Sequence, residues 1–245
     1  MRQLLKIATS VFFALLLTVG VAFGQSNNAV VEQHAGTSGE LEARINQSGL
    51  NHNAVILQGV VTTTNRVGAK KSDATIRQRG ADAEAVVLQG RRGGFSAKSS
   101  AKINQTGPSD AEILQGVGTK SAAERNNSAV QRQNGLGHDA KIWQGVNTGG
   151  GKSTKTEANE AVQNQRRGVS NRALIKQGVG SGSYAEDGLA RQVQAGTNNT
   201  ARILQGTGGN WATGMEAIQR QFGSGHTAHT VQTGVNSSAR ITQSN

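Results

Sequence analysis

Residues Ala190–Gly206 read ARQVQAGTNNTARILQG, and the reading of this stretch decides the fold. It holds two five-residue units of the form Ala-x-(Ile/Val/Gln/Thr)-x-Gln, Ala190–Gln194 and Ala201–Gln205. In an extended chain successive side chains point to opposite faces, so a period of two marks a strand. Ala190, Gln192 and Gln194 therefore share one face, as do Ala201, Ile203 and Gln205. Gly196 follows Gln194 by two, and glycine accepts the positive φ that a tight turn needs. The stretch predicts strand, turn, strand.

Working outward, the unit begins sixteen times, at Ala29, Ala43, Ala54, Ala74, Ala85, Ala101, Ala111, Ala129, Ala140, Ala161, Ala173, Ala190, Ala201, Ala217, Ala228 and Ala239. Its fifth residue is always Gln. The glutamines expected to form a ladder are Gln47, Gln58, Gln78, Gln89, Gln105, Gln115, Gln133, Gln144, Gln165, Gln177, Gln194, Gln205, Gln221, Gln232 and Gln243. The apolar residues expected between the strands are Ile45, Ile56, Ile76, Val87, Ile103, Ile113, Ile142, Ile175, Ile203 and Ile241. The units come in pairs, with turn glycines Gly49, Gly80, Gly107, Gly135, Gly168, Gly196 and Gly223. Gly168 trails its Gln165 by three, so that turn carries one extra residue. A second glycine usually follows the second unit, and then an arm rich in Gly, Ser, Thr and Lys/Arg, such as GRRGGFSAKSS at 90–100.

One such pair has no adequate core. Stacking solves this: two strands face each other across an arch, and each arch hydrogen-bonds to the next. Small Ala lets the sheets approach, Ile or Val supplies apolar burial, and Gln at one height in every rung both donates and accepts. The expected fold is all-β, a β-solenoid of stacked strand-turn-strand rungs forming cross-β arches, with extended Gly/Ser/Lys-rich arms on one side. The repeat matters because composition alone points elsewhere. Hydrophobic residues are 35%, aromatics 3% and the net charge +11, values that suit disorder. The absence of Cys removes a disulfide scaffold, a thiolate metal site and a cysteine nucleophile.

Residues 1–24, MRQLLKIATSVFFALLLTVGVAFG, pair a basic start at Arg2 and Lys6 with an apolar run and small residues Ala22 and Gly24. That is the pattern of a secretory signal peptide cut before Gln25. The chain is therefore expected to be exported, with 25–40 as an N-terminal segment that a secretion pore could read and 41–245 as the solenoid.

Outward positions of the first strands include Arg44, Arg77, Lys102, Arg132, Arg191 and Arg220. This basic stripe has two readings, a solvated face or a sequence-independent, salt-sensitive contact with extracellular DNA, anionic polysaccharide or lipopolysaccharide. Outward positions of the second strands include Leu57, Leu88, Leu114, Trp143, Leu204 and Val231. Either the arms fold over this apolar row or neighbouring filaments pack on it. Other signals lead nowhere: NTGGGKST at 147–154 has the wrong glycine spacing and context for a phosphate loop. His52, His138 and His226 share a turn position in separated rungs, so they stack no metal site. Carboxylates such as Asp82, Glu84, Asp110, Glu112 and Asp139 read as scattered, with no converging pair for acid/base work. No cofactor and no enzymatic activity are expected.

The pattern Gln-x-Gly-x-x-Asn-x-Ala-x-x-x-Gln resembles the curlin repeat of curli subunits, the bacterial extracellular functional amyloid. It is whole at Gln194, Gly196, Asn199, Ala201 and Gln205. It lacks only the Asn at Gln47, Gly49, Ala54, Gln58 and at Gln78, Gly80, Ala85, Gln89. Gln133, Gly135, Ala140, Gln144 and Gln221, Gly223, Ala228, Gln232 follow the same form. His52, His138 and His226 stand where that Asn belongs, and successive repeats are 27 to 32 residues apart, longer than is usual in the family. The resemblance covers roughly 27–243 and implies a self-assembling fimbrium or pilus-like fibre serving cell adhesion and biofilm matrix. It also implies an outer-membrane secretion pore, chaperones and another curli subunit as partners. The basic charge and Ala-x-Ile-x-Gln strands look more like the minor, nucleating subunit than the major one. The last unit, Ala239–Gln243, keeps the pattern to within two residues of Asn245, which reads as an uncapped end that favours polymerisation.

Overall fold

The computed structural model describes residues 26–33, 41–59, 68–70, 72–91, 95–118, 122–148 and 153–245. The signal-peptide reading of 1–24 lies outside them. Every regular element among the described residues is a strand. The chain enters with β1 (Asn28–Gln33). It then makes turns of three strands each: β2 (Leu41–Leu50), β3 (Asn53–Gln58), β4 (Gly68–Lys70); β5 (Ser72–Ala81), β6 (Glu84–Arg91), β7 (Phe95–Ala97); β8 (Ser100–Thr106), β9 (Ser109–Val117), β10 (Ala122–Arg125). It continues with β11 (Ser128–Leu136), β12 (His138–Gln144), β13 (Thr154–Glu157); β14 (Glu160–Val169), β15 (Arg172–Gln177), β16 (Tyr184–Glu186); β17 (Leu189–Thr197), β18 (Thr200–Gln205), β19 (Trp211–Thr213). The last turn is β20 (Glu216–Ser224), β21 (Thr227–Gln232) and β22 (Gly234–Val235), and β23 (Ser238–Ser244) follows it.

The strands stack into three parallel sheets. First units form a front sheet, β2-β5-β8-β11-β14-β17-β20-β23. Second units form a back sheet, β1-β3-β6-β9-β12-β15-β18-β21. The register places like on like, for instance Ala190 beside Ala217 and Gln194 beside Gln221. At a strand spacing of about 4.8 Å, eight strands make a stack about 34 Å tall. The molecule is a β-solenoid, as the repeat predicts.

The arms are the part that the pattern left without an assigned structure. Each contributes a short strand to a third, side sheet, β4-β7-β10-β13-β16-β19-β22. Two to four residues are too few to display a period of two. Inward positions are nevertheless small and buried: Ser96, Thr156, Ala185 and Ala212. The solenoid also begins earlier than residue 41, because β1 already pairs in register with β3, Ala29 on Ala54 and Gln33 on Gln58.

Ladder bonding does not stop at the corners. Asp82, Ser170 and Asn198 each donate their N–H to the previous rung's carbonyl at Leu50, Leu136 and Val169. These three hold φ of 53°, 57° and 56°, which Asp, Asn and small polar residues tolerate better than most. The glycine column needs glycine for a second reason besides φ. A Cβ on Gly196 would run into the carbonyl group of Gly223 directly along the stack, and one on Gly168 into that of Gly196. The extra residue before Gly168 is taken up as an irregularity between β11 and β14, where Asn134 pairs Arg166 but Leu136 pairs Val169. Gly168 thereby keeps its place in the column.

The core lies between front and back sheets. Ile56, Ile76, Ile103, Ile113, Ile142, Ile175 and Ile203 are fully buried among the repeat alanines. Each contributes about 1.5–3 kcal/mol by leaving water.

Candidate functional site: amide ladders and stack edges

The expected glutamines fall into two columns, one on each side of the core. In the front column Gln47 donates Nε2 to Gln78 Oε1 at 3.0 Å, and the same bond recurs from Gln78 to Gln105, Gln105 to Gln133, Gln133 to Gln165, Gln165 to Gln194, Gln194 to Gln221 and Gln221 to Gln243. The back column runs Gln33, Gln58, Gln89, Gln115, Gln144, Gln177, Gln205, Gln232 in the same sense. The second proton of each Nε2 fixes the amide's orientation. Gln105 gives it to Ser109 O at 2.6 Å and Gln177 to Gly188 O at 3.0 Å. Each ladder therefore has a direction, with free acceptors at the β1/β2 end and donors leading toward β23.

A third ladder was not anticipated, although its residues occupy the variable middle position of the unit. Gln131, Gln163, Gln192 and Gln219 bond in sequence at 3.0–3.1 Å, and Gln219 ends on Thr230 Oγ1. Reading the middle position as apolar or interchangeable hid the fact that its four glutamines fall in consecutive rungs of one sheet.

The corner histidines have a structural part to play. At the front-to-back corner Asn171 Oδ1 accepts the backbone N–H of Asn199, and Asn199 Oδ1 accepts that of His226, both at 2.9 Å. His138 does the same job with Nδ1, which accepts from Asn171 N at 3.3 Å. His52 Nδ1 stands likewise over Ala83 N. A ring that accepts at Nδ1 carries its proton at Nε2, and His138 Nε2 duly faces Asn134 O. Burial holds the His138 pKa below its ordinary value. Among the described residues no group of three His, Asp or Glu is placed to hold a metal ion.

The six basic residues lie on the outer front face, but not in a single file. Arg44, Lys102 and Arg191 occupy the second position of the unit, and Arg77, Arg132 and Arg220 the fourth. Their in-register neighbours are neutral: Thr75 separates Arg44 from Lys102, and Asn104 separates Arg77 from Arg132. The result is a zigzag in which no two of these cations sit directly opposite, so the repulsion expected of a stacked row is largely avoided. Arg191 also reaches Glu160 at 3.5 Å. The carboxylates, in contrast, are less scattered than they read. Glu84, Asp110 and Asp139 stand one above another on the back sheet, with Glu112 beside them. They line a groove together with Val86, Ala111 and Lys141.

The apolar row is in register from Leu57 through Leu88 and Leu114 to Trp143. Of the two readings, the structure supports cover by the arms for this part. Val117, Val146 and Val179, at the start of the arms, are buried against Leu88, Leu114 and Trp143. Trp143 donates Nε1 to Glu112 Oε1 at 2.6 Å, and Lys176 Nζ sits 4.1 Å from the ring centroid. Val231, at the far end of the row, is 58% exposed.

Comparison with known proteins adds no family to this picture: no protein-family model matches the chain, and no curated protein matches it.

Proposed function

We propose that this chain is an exported structural subunit that polymerises into extracellular cross-β fibres of the curli type. The observation that carries the reading is the repetition itself. Each rung offers its neighbour the same strand edges and the same glutamine heights, so contacts between rungs of one chain can be reproduced between chains. Growth is templated addition: an end rung presents unpaired N–H and C=O groups, and an incoming chain hydrogen-bonds to them. By resemblance the fibre serves surface adhesion and biofilm matrix, reaches the outside through an outer-membrane pore with chaperones, and meets a second curli subunit. Whether this chain is the main subunit or a surface-anchored nucleator is decided by seeding. A main subunit extends preformed fibres of its own kind, whereas a nucleator accelerates the partner subunit at low ratio.

Electron microscopy of the purified chain, diluted from denaturant at neutral pH, tests the reading. Unbranched filaments support it, and monomers that persist even with seeds overturn it. A second reading is a non-polymerising secreted solenoid that binds polyanions such as DNA or anionic polysaccharide, which the exposed zigzag of Arg and Lys favours. It requires retention on a polyanion that falls steeply with salt.

A further inference from the structure

Among the described residues the two sheets end on complementary half-rungs. The back sheet ends on β1, and among the described residues no front-sheet strand stands at its height. No unit of the repeat precedes it within residues 1–28. The front sheet ends on β23, and among the described residues no back-sheet strand stands at its height. β1 is thus the second half of a rung and β23 the first half.

The side chains carry the same mark. Inward residues of interior strands are buried, but Val31 and Gln33 of β1 and Ala239, Ile241 and Gln243 of β23 are only partly so, and Ala29 is exposed. Each half-rung has its core side turned to a place where the other half would lie. The corners are halved too. Ser26 has φ 66°, the same conformation as Asn51, Ser170 and Asn198 at the matching corner position. Asn27 takes its place in the corner ladder, accepting from His52 N and donating to Gly49 O.

The amide ladder supplies the decisive detail. Gln47 is 3% exposed, and its Oε1 is buried without a hydrogen-bond partner. It is the acceptor end of the front ladder. At the opposite end Gln243 Nε2 donates to Thr227 O, which leaves its second proton aimed onward along the column.

We infer that a second copy of this chain completes the half-built rung, so that the joint between copies runs through one rung made by two chains. β23 of one copy is its front strand and β1 of the next its back strand. Ile241 then packs on Val31 of the next copy as Ile45 packs near Ile56 within one chain. Gln243 donates to the orphaned Gln47 Oε1, and the back ladder passes from Gln232 to Gln33. Asn27 stands over His226 as Asn171 stands over His138. β23 is thereby sandwiched between its own β20 and the next copy's β2, and β1 between β3 and the previous copy's β21. The inference rests on the polymerisation reading, and makes the interlocking half-rungs, not a flat end, the contact surface.

Cysteine pairs test it, since the chain has no Cys of its own. The shared rung places Thr242 beside Asn46 of the next copy and Val231 beside its Glu32, all on outward positions. In-register parallel strands at about 4.8 Å suit a disulfide. Within one chain the members of each pair lie at opposite ends of the stack, so any bridge is between copies. Filaments of Asn46→Cys/Thr242→Cys, and separately of Glu32→Cys/Val231→Cys, should on oxidation give covalent multimers as the main species on a denaturing gel. The crossed variant Glu32→Cys/Thr242→Cys should stay monomeric, because its two positions lie on opposite faces of the rung. Filaments that form normally but give no multimers in either matched pair, or that cross-link the crossed pair instead, overturn the shared rung and leave the fibre reading standing. Failure of the parent chain to form filaments at all overturns both.

Discussion

The turns built on β2 to β10 and those built on β11 to β22 share one backbone and differ in their cores. In the first group the middle position of the front strand is Ile45, Ile76 or Ile103, set among Ile56, Val87 and Ile113 of the back sheet. In the second it is Gln131, Gln163, Gln192 or Gln219, each fully buried. These amides replace apolar contact with bonds along the stack and across it, such as Gln163 Nε2 to Lys141 O at 2.8 Å. Parallel in-register stacking demands like on like, whatever the type. The cost appears at the switch: Gln131 follows Ile103, and its buried Oε1 has no partner. This also explains how a chain with only 35% hydrophobic residues holds a fold: in the second group continuous amide columns do part of the work of an apolar core.

If that account is right, mixing the two groups should hurt in proportion to how many amide ends are stranded. Ile76→Gln puts an amide between Ile45 and Ile103 and strands both of its ends, so it should cost about 3–5 kcal/mol of stability, read as a fall in the urea midpoint of the monomer. Gln163→Leu interrupts the third ladder, leaving Gln192 Oε1 and Lys141 O without their donor. About 2–4 kcal/mol is expected by the same measurement. Ile103→Gln lies at the boundary. It gives Gln131 Oε1 a donor while stranding one acceptor of its own, so its cost should be only about 1–2 kcal/mol, chiefly lost apolar burial. If Ile103→Gln proves as damaging as Ile76→Gln, position in the ladder does not matter and the comparison fails.

The smallest effect is set by pH. Burial lowers the His138 pKa in the folded chain below 6.5, so the unfolded chain binds more protons in the window beneath that value. His138 therefore contributes stability that is full above about pH 6.5 and is lost as pH falls through the lowered folded value. His138→Asn should flatten that part of the pH profile, because Asn171 and Asn199 show that an amide fills the same corner role. An unchanged slope in the variant would assign the effect to another group.

Much of this was legible in the unit Ala-x-(Ile/Val/Gln/Thr)-x-Gln, because a period of two and a recurring turn glycine fix face, corner and register at once. The columns through Ala43, Gln47 and Gly49 could be placed from Ala74, Gln78 and Gly80 alone. The side sheet could not, because strands such as Tyr184–Glu186 are shorter than two periods and the corners that follow them carry no fixed residue type, with Lys98, Asn126, Ala158, Asp187 and Gly214 all in the same left-handed conformation. The zigzag of cations and the stacked Glu84, Asp110 and Asp139 were hidden for a different reason. They appear only when rungs are aligned position by position, which a list of outward residues does not do. A signal for the corner amides was present: Asn127 and Asn159 stand two residues before a unit's Ala, as Asn171 and Asn199 do, and Asn159 N bonds Asn127 Oδ1 at 2.8 Å.

X-ray diffraction from aligned filaments tests whether the stacking within one chain continues from chain to chain. Continued stacking gives a sharp meridional reflection near 4.8 Å, because every rung of every copy lies across the filament axis. Filaments whose strand-spacing reflection falls on the equator, or that give none at all, would show that the solenoids associate side by side or as beads, and would contradict it.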